Sequence, residues 1–306
     1  MHKNISPFVT STLTVFALSA GLAFGQSEKA AMAVTPIKPT PSLLEATKSA
    51  GKSVSLGRVI EALDGQLINR VNATRKFEIV GRSELKEFFK EQDLGASGNV
   101  DVKTAAQAGK LTGAKYLLVT SVDDFADFSE TASFPGTGKS ATKRLIRLSA
   151  VGRIYDSSDG KLLESANVQH SVKDIYEERP NSIKDGKLTD ELLLTISREM
   201  AEKIAVRVAD VIFPVKVLTK RDKQITINRG DGSGAEVDQV WQVFAVGQDI
   251  IDPDTKEVLG KEEVLIGKAR IISVQPKFST AELLEDNGVN AGAILRLPPA
   301  KKTSAQ

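Results

Sequence analysis

Residues 77–122 read FEIVGRSELKEFFKEQDLGASGNVDVKTAAQAGKLTGAKYLLVTSV, and the periodicity of this stretch switches repeatedly. Phe77, Ile79 and Val80 make a short β-prone run that Gly81 and Arg82 break. Ser83 is placed to cap a helix, because its oxygen can accept an orphan backbone N–H of the first turn. Leu85, Phe88 and Phe89 then recur at helical spacing. Gly95 and Gly98 bracket a loop, and Asp101 is a second N-cap candidate. Ala105, Ala106, Ala108, Gly109 and Leu111 predict a helix thin enough to lie close on a sheet, ended by Gly113. Tyr116, Leu117, Leu118 and Val119 run without alternation, the pattern of a strand covered on both faces. Strand, helix, loop, helix and strand in that order predict an α/β fold.

With FEIVGRSEL, EQDLGASG and TAAQAGKLTGAKYLLVTSV in fixed order, the stretch resembles the CsgG family of curli assembly and transport components. Weaker similarity runs on to about residue 212. The resemblance implies a non-enzymatic envelope component that works in assembly or secretion of a curli-like surface structure. It also implies protein–protein contacts and a homo-oligomer. Family members are typically lipoproteins acylated on a cysteine right after the signal. This chain has no cysteine, so that anchor cannot be carried over. The same absence removes disulfides, thiol nucleophiles and thiolate metal sites.

Residues 1–25 have the form of a secretory signal: His2 and Lys3, then a mainly apolar run from Val15 to Phe24, then Ala23-Phe24-Gly25. The apolar run is too short to cross a bilayer core of about 30 Å comfortably. Cleavage after Gly25 would make Gln26 the mature N-terminus, without acylation. The expected location is the periplasm, with association at the outer membrane as its extension. A net charge of +2 and the lack of interleaved aromatics argue against nucleic acid.

Residues 26–31 read as a loose tail. Met32 to Ile37 reads as an edge strand, since Pro36 cannot donate to a ladder, and Pro39 and Pro41 as extended chain. Ser53 to Val71 is an amphipathic helix with Leu56, Val59, Ile60, Leu63, Leu67, Ile68 and Val71 on one side. Beyond Val122, residues 129–143 read as a polar tip and Arg144 to Tyr155 as a long strand. On that strand Leu145, Arg147, Ser149, Val151 and Arg153 face one way and Ile146, Leu148, Ala150 and Ile154 the other. Arg147 and Arg153 form a candidate partner-binding stripe. Residues 156–160 are a hairpin turn, Lys161 to Val172 the return strand, and Tyr176 to Lys187 a polar loop. Thr189 is the expected cap of a helix ended by Phe213-Pro214.

From Val215 the pattern becomes strands and turns: Val215–Leu218, Gln224–Ile227, Gln239–Val246, Val264–Val274 and Ala293–Leu297. INRGDGSGAEVDQVWQVFAVGQDIIDPDTKEVLG and IGKARIISVQP resemble the SH3-like C-terminal domain of FlgT-type flagellar assembly proteins. The division expected is signal 1–25, tail 26–31, CsgG-like α/β domain 32–213, SH3-like β-barrel domain 214–298, and frayed tail 299–306.

The motifs for chemistry fail one by one. Gly136-Thr137-Gly138-Lys139-Ser140 mimics a phosphate loop, but Ser133 stands where a glycine is needed and no helix pattern follows. Gly230-x-Gly232-x-x-Ala235 precedes a strand rather than the helix that holds pyrophosphate. Asp252-Pro253-Asp254 lacks the rest of a calcium loop, with Lys256 at the third ligand position. After cleavage His170 is the one histidine, too few for a zinc cluster in a chain without cysteine. Ser83-x-x-Lys86 and Ser140-x-x-Lys143 are chance spacings. The expectation is no catalytic residue, no cofactor, no metal and no nucleotide. Two membrane hairpins per subunit build the CsgG pore. Here the second candidate hairpin, between His170 and Thr189, carries charge on both faces and Pro180, so membrane contact is expected to be peripheral at most. The alternative reading is a periplasmic structural adaptor in a flagellar-type ring or on peptidoglycan.

Overall fold

The computed structural model describes residues 29–298 apart from 82, 84, 86, 89–100, 135–138 and 179–186. The first sheet is mixed. Its strands are β1 (Ala30–Val34), β2 (Lys38–Pro39), β3 (Phe77–Ile79), β4 (Tyr116–Phe134), β5 (Lys139–Asp156) and β6 (Leu162–Glu178), in the order β3-β1-β4-β5-β6 with β2 beside β4. β1 runs parallel to β3 and to β4, while β4, β5 and β6 form an antiparallel meander. β1 is therefore an inner strand and not the edge expected from Pro36, which lies just past its end.

Helices α1 (Pro41–Ser49), α2 (Ser53–Ala73), α3 (Val102–Thr112) and α4 (Lys187–Ile212) belong to this part, and residues 83, 85, 87 and 88 are helical too. α1 replaces the extended chain expected around Pro41. Proline at the first helical position costs nothing, because its missing N–H would be an orphan there. Thr40 accepts from the Leu43 N–H at 3.4 Å. α2 matches its apolar stripe: Leu56, Val59, Leu63, Leu67 and Val71 are buried. They meet Leu193, Ile196, Met200, Ile204 and Val208 of α4, and both helices cover the face of the sheet that carries Ile146, Leu148, Ala150 and Ile154. Inside this layer the Ser197 hydroxyl donates to the Val59 carbonyl at 3.1 Å.

α3 lies on the opposite face over Leu117, Val119 and Tyr155. Asp101 caps it, accepting the Thr104 N–H at 2.8 Å, and that bond is the first cause holding its carboxyl below its ordinary value. Gly113 closes it in the left-handed conformation at φ 66°. The close approach rests on Gly109, where a Cβ would fall 2.1 Å from the Ser157 Cβ. Ser83 is already helical rather than the residue before the helix. Gly95 and Gly98 lie outside the described residues. The polar tip expected at 129–143 is strand up to Phe134 and again from Lys139, and β6 continues through Tyr176 to Glu178. α4 begins at Lys187, so Thr189 is inside it.

The second sheet has β7 (Val217–Arg221), β8 (Gln224–Ile227), β9 (Val240–Ile251), β10 (Val258–Val274), β11 (Ser279–Asp286) and β12 (Ile294–Arg296), in the order β12-β9-β10-β11-β8-β7. Its core holds Trp241, Val243, Ala269, Ile271, Leu283 and Leu295. β11 has no counterpart in the sequence reading. Its inward positions are Ser279, Ala281 and Leu283, and the residues between them are polar or exposed, so alternation is faint. The closed barrel expected for 214–298 is not found among the described residues: the ladder is open, with one antiparallel bridge, Lys216↔Ile294, between its ends.

Candidate functional site

The β4–β5–β6 meander presents one face to α2 and α4 and leaves much of the other free of described helices. On that second face the register sets Ala126 opposite Arg147 and Asp124 opposite Ser149, after a bulge at Asp123. Arg147 Nε donates to Asp124 Oδ2 at 2.8 Å, with both side chains nearly half exposed. Arg153 Nη1 lies 3.4 Å from the Ser121 hydroxyl. Ser149 Oγ donates to Asn167 Oδ1 at 3.2 Å, and Asn167 Nδ2 to Asp123 Oδ2 at 3.3 Å. The structure thus brings Arg147 and Arg153 to one strand face, inside a polar network across the meander. Such a surface offers hydrogen bonds to a partner more than unopposed charge, and the exposed Arg147–Asp124 pair adds about 0.2–1 kcal/mol to stability.

The face toward the helices holds a pair that pattern reading cannot see. Arg144 Nε donates to Asp127 Oδ1 at 2.8 Å and Arg144 Nη2 to Asp127 Oδ2 at 2.6 Å, with side-chain exposures of 7% and 4%. The two-pronged geometry fits a guanidinium to a carboxylate and fixes the diagonal register of the hairpin.

A third cluster lies where the two sheets meet. Arg229 is fully buried. Its Nη2 donates to Asp210 on α4 and, at 3.2 Å, to the Phe213 carbonyl. Its Nε and Nη1 are buried with no hydrogen-bond partner among the described residues. Burial holds Arg229 below its ordinary value against the pull of Asp210, and burial pushes the Asp210 carboxyl up although Arg229 opposes it. Lys76 Nζ donates to the Asn228 carbonyl at 2.8 Å, and burial, then Arg229, lowers its ammonium. The glycine turn after Arg229 follows from the same contact. Gly232 has φ 72°, and a Cβ there would sit 2.8 Å from the Ala73 carbonyl oxygen of α2; at Gly234 it would sit 3.0 Å from Val206 of α4.

Beside this junction opens a cleft of about 1550 Å³. Lys29, Arg75, Lys76, Lys115 and Lys277 line it against one carboxylate, Glu78, with Ile68, Ile79 and Phe213 as apolar lining. Lys115 Nζ stands 5.3 Å from the centre of the Tyr116 ring, a cation–π distance. No local sequence pattern shows this cleft, because its five cations come from four separate places in the chain.

Lys139 and Ser140 open strand β5, where a phosphate loop requires a helix. Asp252 Oδ1 accepts the N–H groups of Asp254 and Thr255 at 2.8 and 3.0 Å, so that carboxylate builds its own turn. His170 Nε2 pairs with Glu199 across β6 and α4. No cluster of three or more metal-ligating side chains occurs among the described residues. Gly25 and Gln26 lie outside the described residues.

The family model for the curli production assembly/transport component CsgG matches residues 25–201, more than half of the 306-residue chain. The chain belongs to the CsgG family. The match covers the first sheet with its helices up to the middle of α4, and stops before the second sheet. An uncharacterized protein of Aquifex aeolicus (strain VF5) is 33% identical over 81 residues, which is 26% of this CsgG-family chain and 16% of that relative's length. Solved structures overlap loosely. The hypothetical protein CT253 of Chlamydia trachomatis has a TM-score of 0.37 at 10% identity, over 61% of this chain and 99% of that one. Lipoprotein GNA1162 of Neisseria meningitidis has 0.28 at 14%, over 56% and 98%. LpoB of E. coli has 0.24 at 14%, over 50% and 60%. Overlaps this loose say nothing of function.

Proposed function

We propose that this CsgG-family chain is an exported, non-enzymatic component of a cell-envelope assembly or export apparatus, acting by contacts with copies of itself and with other envelope proteins. The observation that carries this reading is the family match over residues 25–201. The signal pattern of residues 1–25 supports export, and the absence of cysteine supports a chain without the family's usual lipid. No described helix is long and apolar enough to cross a membrane, which leaves strands unaddressed. For the meander, the charges of Asp124, Asp127, Arg144 and Arg147 on its two faces support contact with protein and water over insertion in lipid. For residues 214–298 we keep the SH3-like reading; the bridge between Lys216 and Ile294, which draws the ends of the ladder together, supports it.

Fractionation of cells tests the proposal. The chain should leave with the periplasmic contents on osmotic shock, without detergent, and a short treatment with an amine crosslinker should yield bands at multiples of its mass. Retention in the cytoplasm with Met1 intact, or extraction by detergent alone, would overturn it.

A further inference from the structure

The hairpin of β9 and β10 projects from the second sheet. From Val246 to Leu265 every residue is exposed except Asp252, which is half-buried. Strand pairing still holds there, with Ile251 opposite Val258 and Asp249 opposite Lys261. Val246, Ile250, Ile251, Val258, Leu259 and Val264 are between 41% and 64% exposed. A two-stranded ribbon alone in water is marginal at best, and an apolar patch of this kind marks a contact surface. Residues 247–263 also carry six carboxylates (Asp249, Asp252, Asp254, Glu257, Glu262 and Glu263) against Lys256 and Lys261, a formal charge of −4. The arm stays acidic even with Glu263 held by Arg296.

The junction cleft is the complement. Five cations against Glu78 give it a formal charge of +4, and Ile68, Ile79, Tyr116 and Phe213 give it apolar wall. Its volume exceeds the roughly 300–1,000 Å³ of ordinary small-molecule sites. A ribbon whose six-residue strand spans about 20 Å, with partner strands about 4.8 Å apart, is an occupant of the right kind. The arm cannot be in the cleft of its own copy, since it is exposed and no arm residue lines the cleft.

We propose that the β9–β10 arm of one copy docks in the cationic cleft of a second copy, its carboxylates against the lysines and its exposed aliphatics against the apolar wall. The contact joins two different surfaces of the same chain, so it repeats head to tail and closes as a ring or runs on as a filament. The inference rests on the self-assembly part of the proposed function and names the surfaces that carry it.

Charge reversal in the full chain tests it, read by mass photometry and sedimentation. The cleft variant carries Arg75→Glu, Lys115→Glu and Lys277→Glu; the arm variant carries Asp254→Lys, Glu257→Lys and Glu262→Lys. All six positions are exposed, so unchanged thermal melts should show that both variants fold. Each alone should lose self-association by roughly tenfold or more, since like charges then meet at the contact. An equimolar mixture should regain it, because each variant repels itself and attracts the other. Wild-type association should also weaken in about 1 M salt, where the screening length is about 3 Å. If the wild type associates and both variants do so undiminished, the arm–cleft contact is wrong while self-assembly stands. If the wild type stays single at all concentrations, self-assembly itself is wrong and the contact falls with it. If that single chain binds polyglutamate and the cleft variant does not, the cleft serves another acidic partner, which also overturns the proposal.

Discussion

Arg144→Ala should lower the free energy of unfolding by about 3–5 kcal/mol, the usual cost of breaking a buried ion pair from one side. Asp127, whose side chain is 4% exposed beside Arg144, would lose both hydrogen bonds from that guanidinium. Asp127 lies opposite Ile146 on the face under the helices, so its charge would be left in a largely apolar layer. The double variant Asp127→Leu/Arg144→Met should behave differently. It removes both charges and keeps volume, so it should be neutral or more stable than wild type by about 1–4 kcal/mol. Urea denaturation of the single and double variants measures both. A loss below about 1 kcal/mol in the single variant would place the pair at the surface.

Trp241→Ala should cost about 3–5 kcal/mol, the range for truncating a buried tryptophan. Trp241 is 4% exposed among Val243, Ala269, Ile271 and Leu295, and its Nε1 donates to Gln239 at 3.2 Å. None of these residues belongs to the core between α2, α4 and the first sheet. We therefore expect calorimetry to show the loss in one of two transitions, with the other, assigned to the first sheet, nearly unmoved. That outcome would support separate units meeting near Phe213-Pro214. One transition shifting as a whole would mean that the contacts of Arg229, Lys76 and Gly232 fuse the two cores.

Elements with strong local patterns were legible before any coordinates. The stripe of α2, the cap and stop of α3 at Asp101 and Gly113, and the two faces of β5 each follow from residue spacing. The extent of the β4–β5–β6 meander was not, because its far half alternates polar residues on both faces and so resembles a loop. α1 was hidden by Pro41, which reads as a breaker unless its place at the first helical position is known. β11 was hidden by small inward residues. Among candidate surfaces, Arg147 and Arg153 could be put on one face by period-two counting. The Asp124 and Ser121 partners could not, since the bulge at Asp123 shifts the register. The cleft and the buried Arg229 depend on which distant segments the junction gathers, and no local pattern encodes that. Gly232 and Gly234 were a visible trace of it, read as a turn without the helices that make glycine necessary.

The most direct test of the account is native mass spectrometry of the protein isolated from the cell envelope without detergent. The expected result is a chain beginning at Gln26 with no lipid adduct, present in multiples of its own mass. A single copy at every concentration, or a chain that still carries Met1, would contradict it.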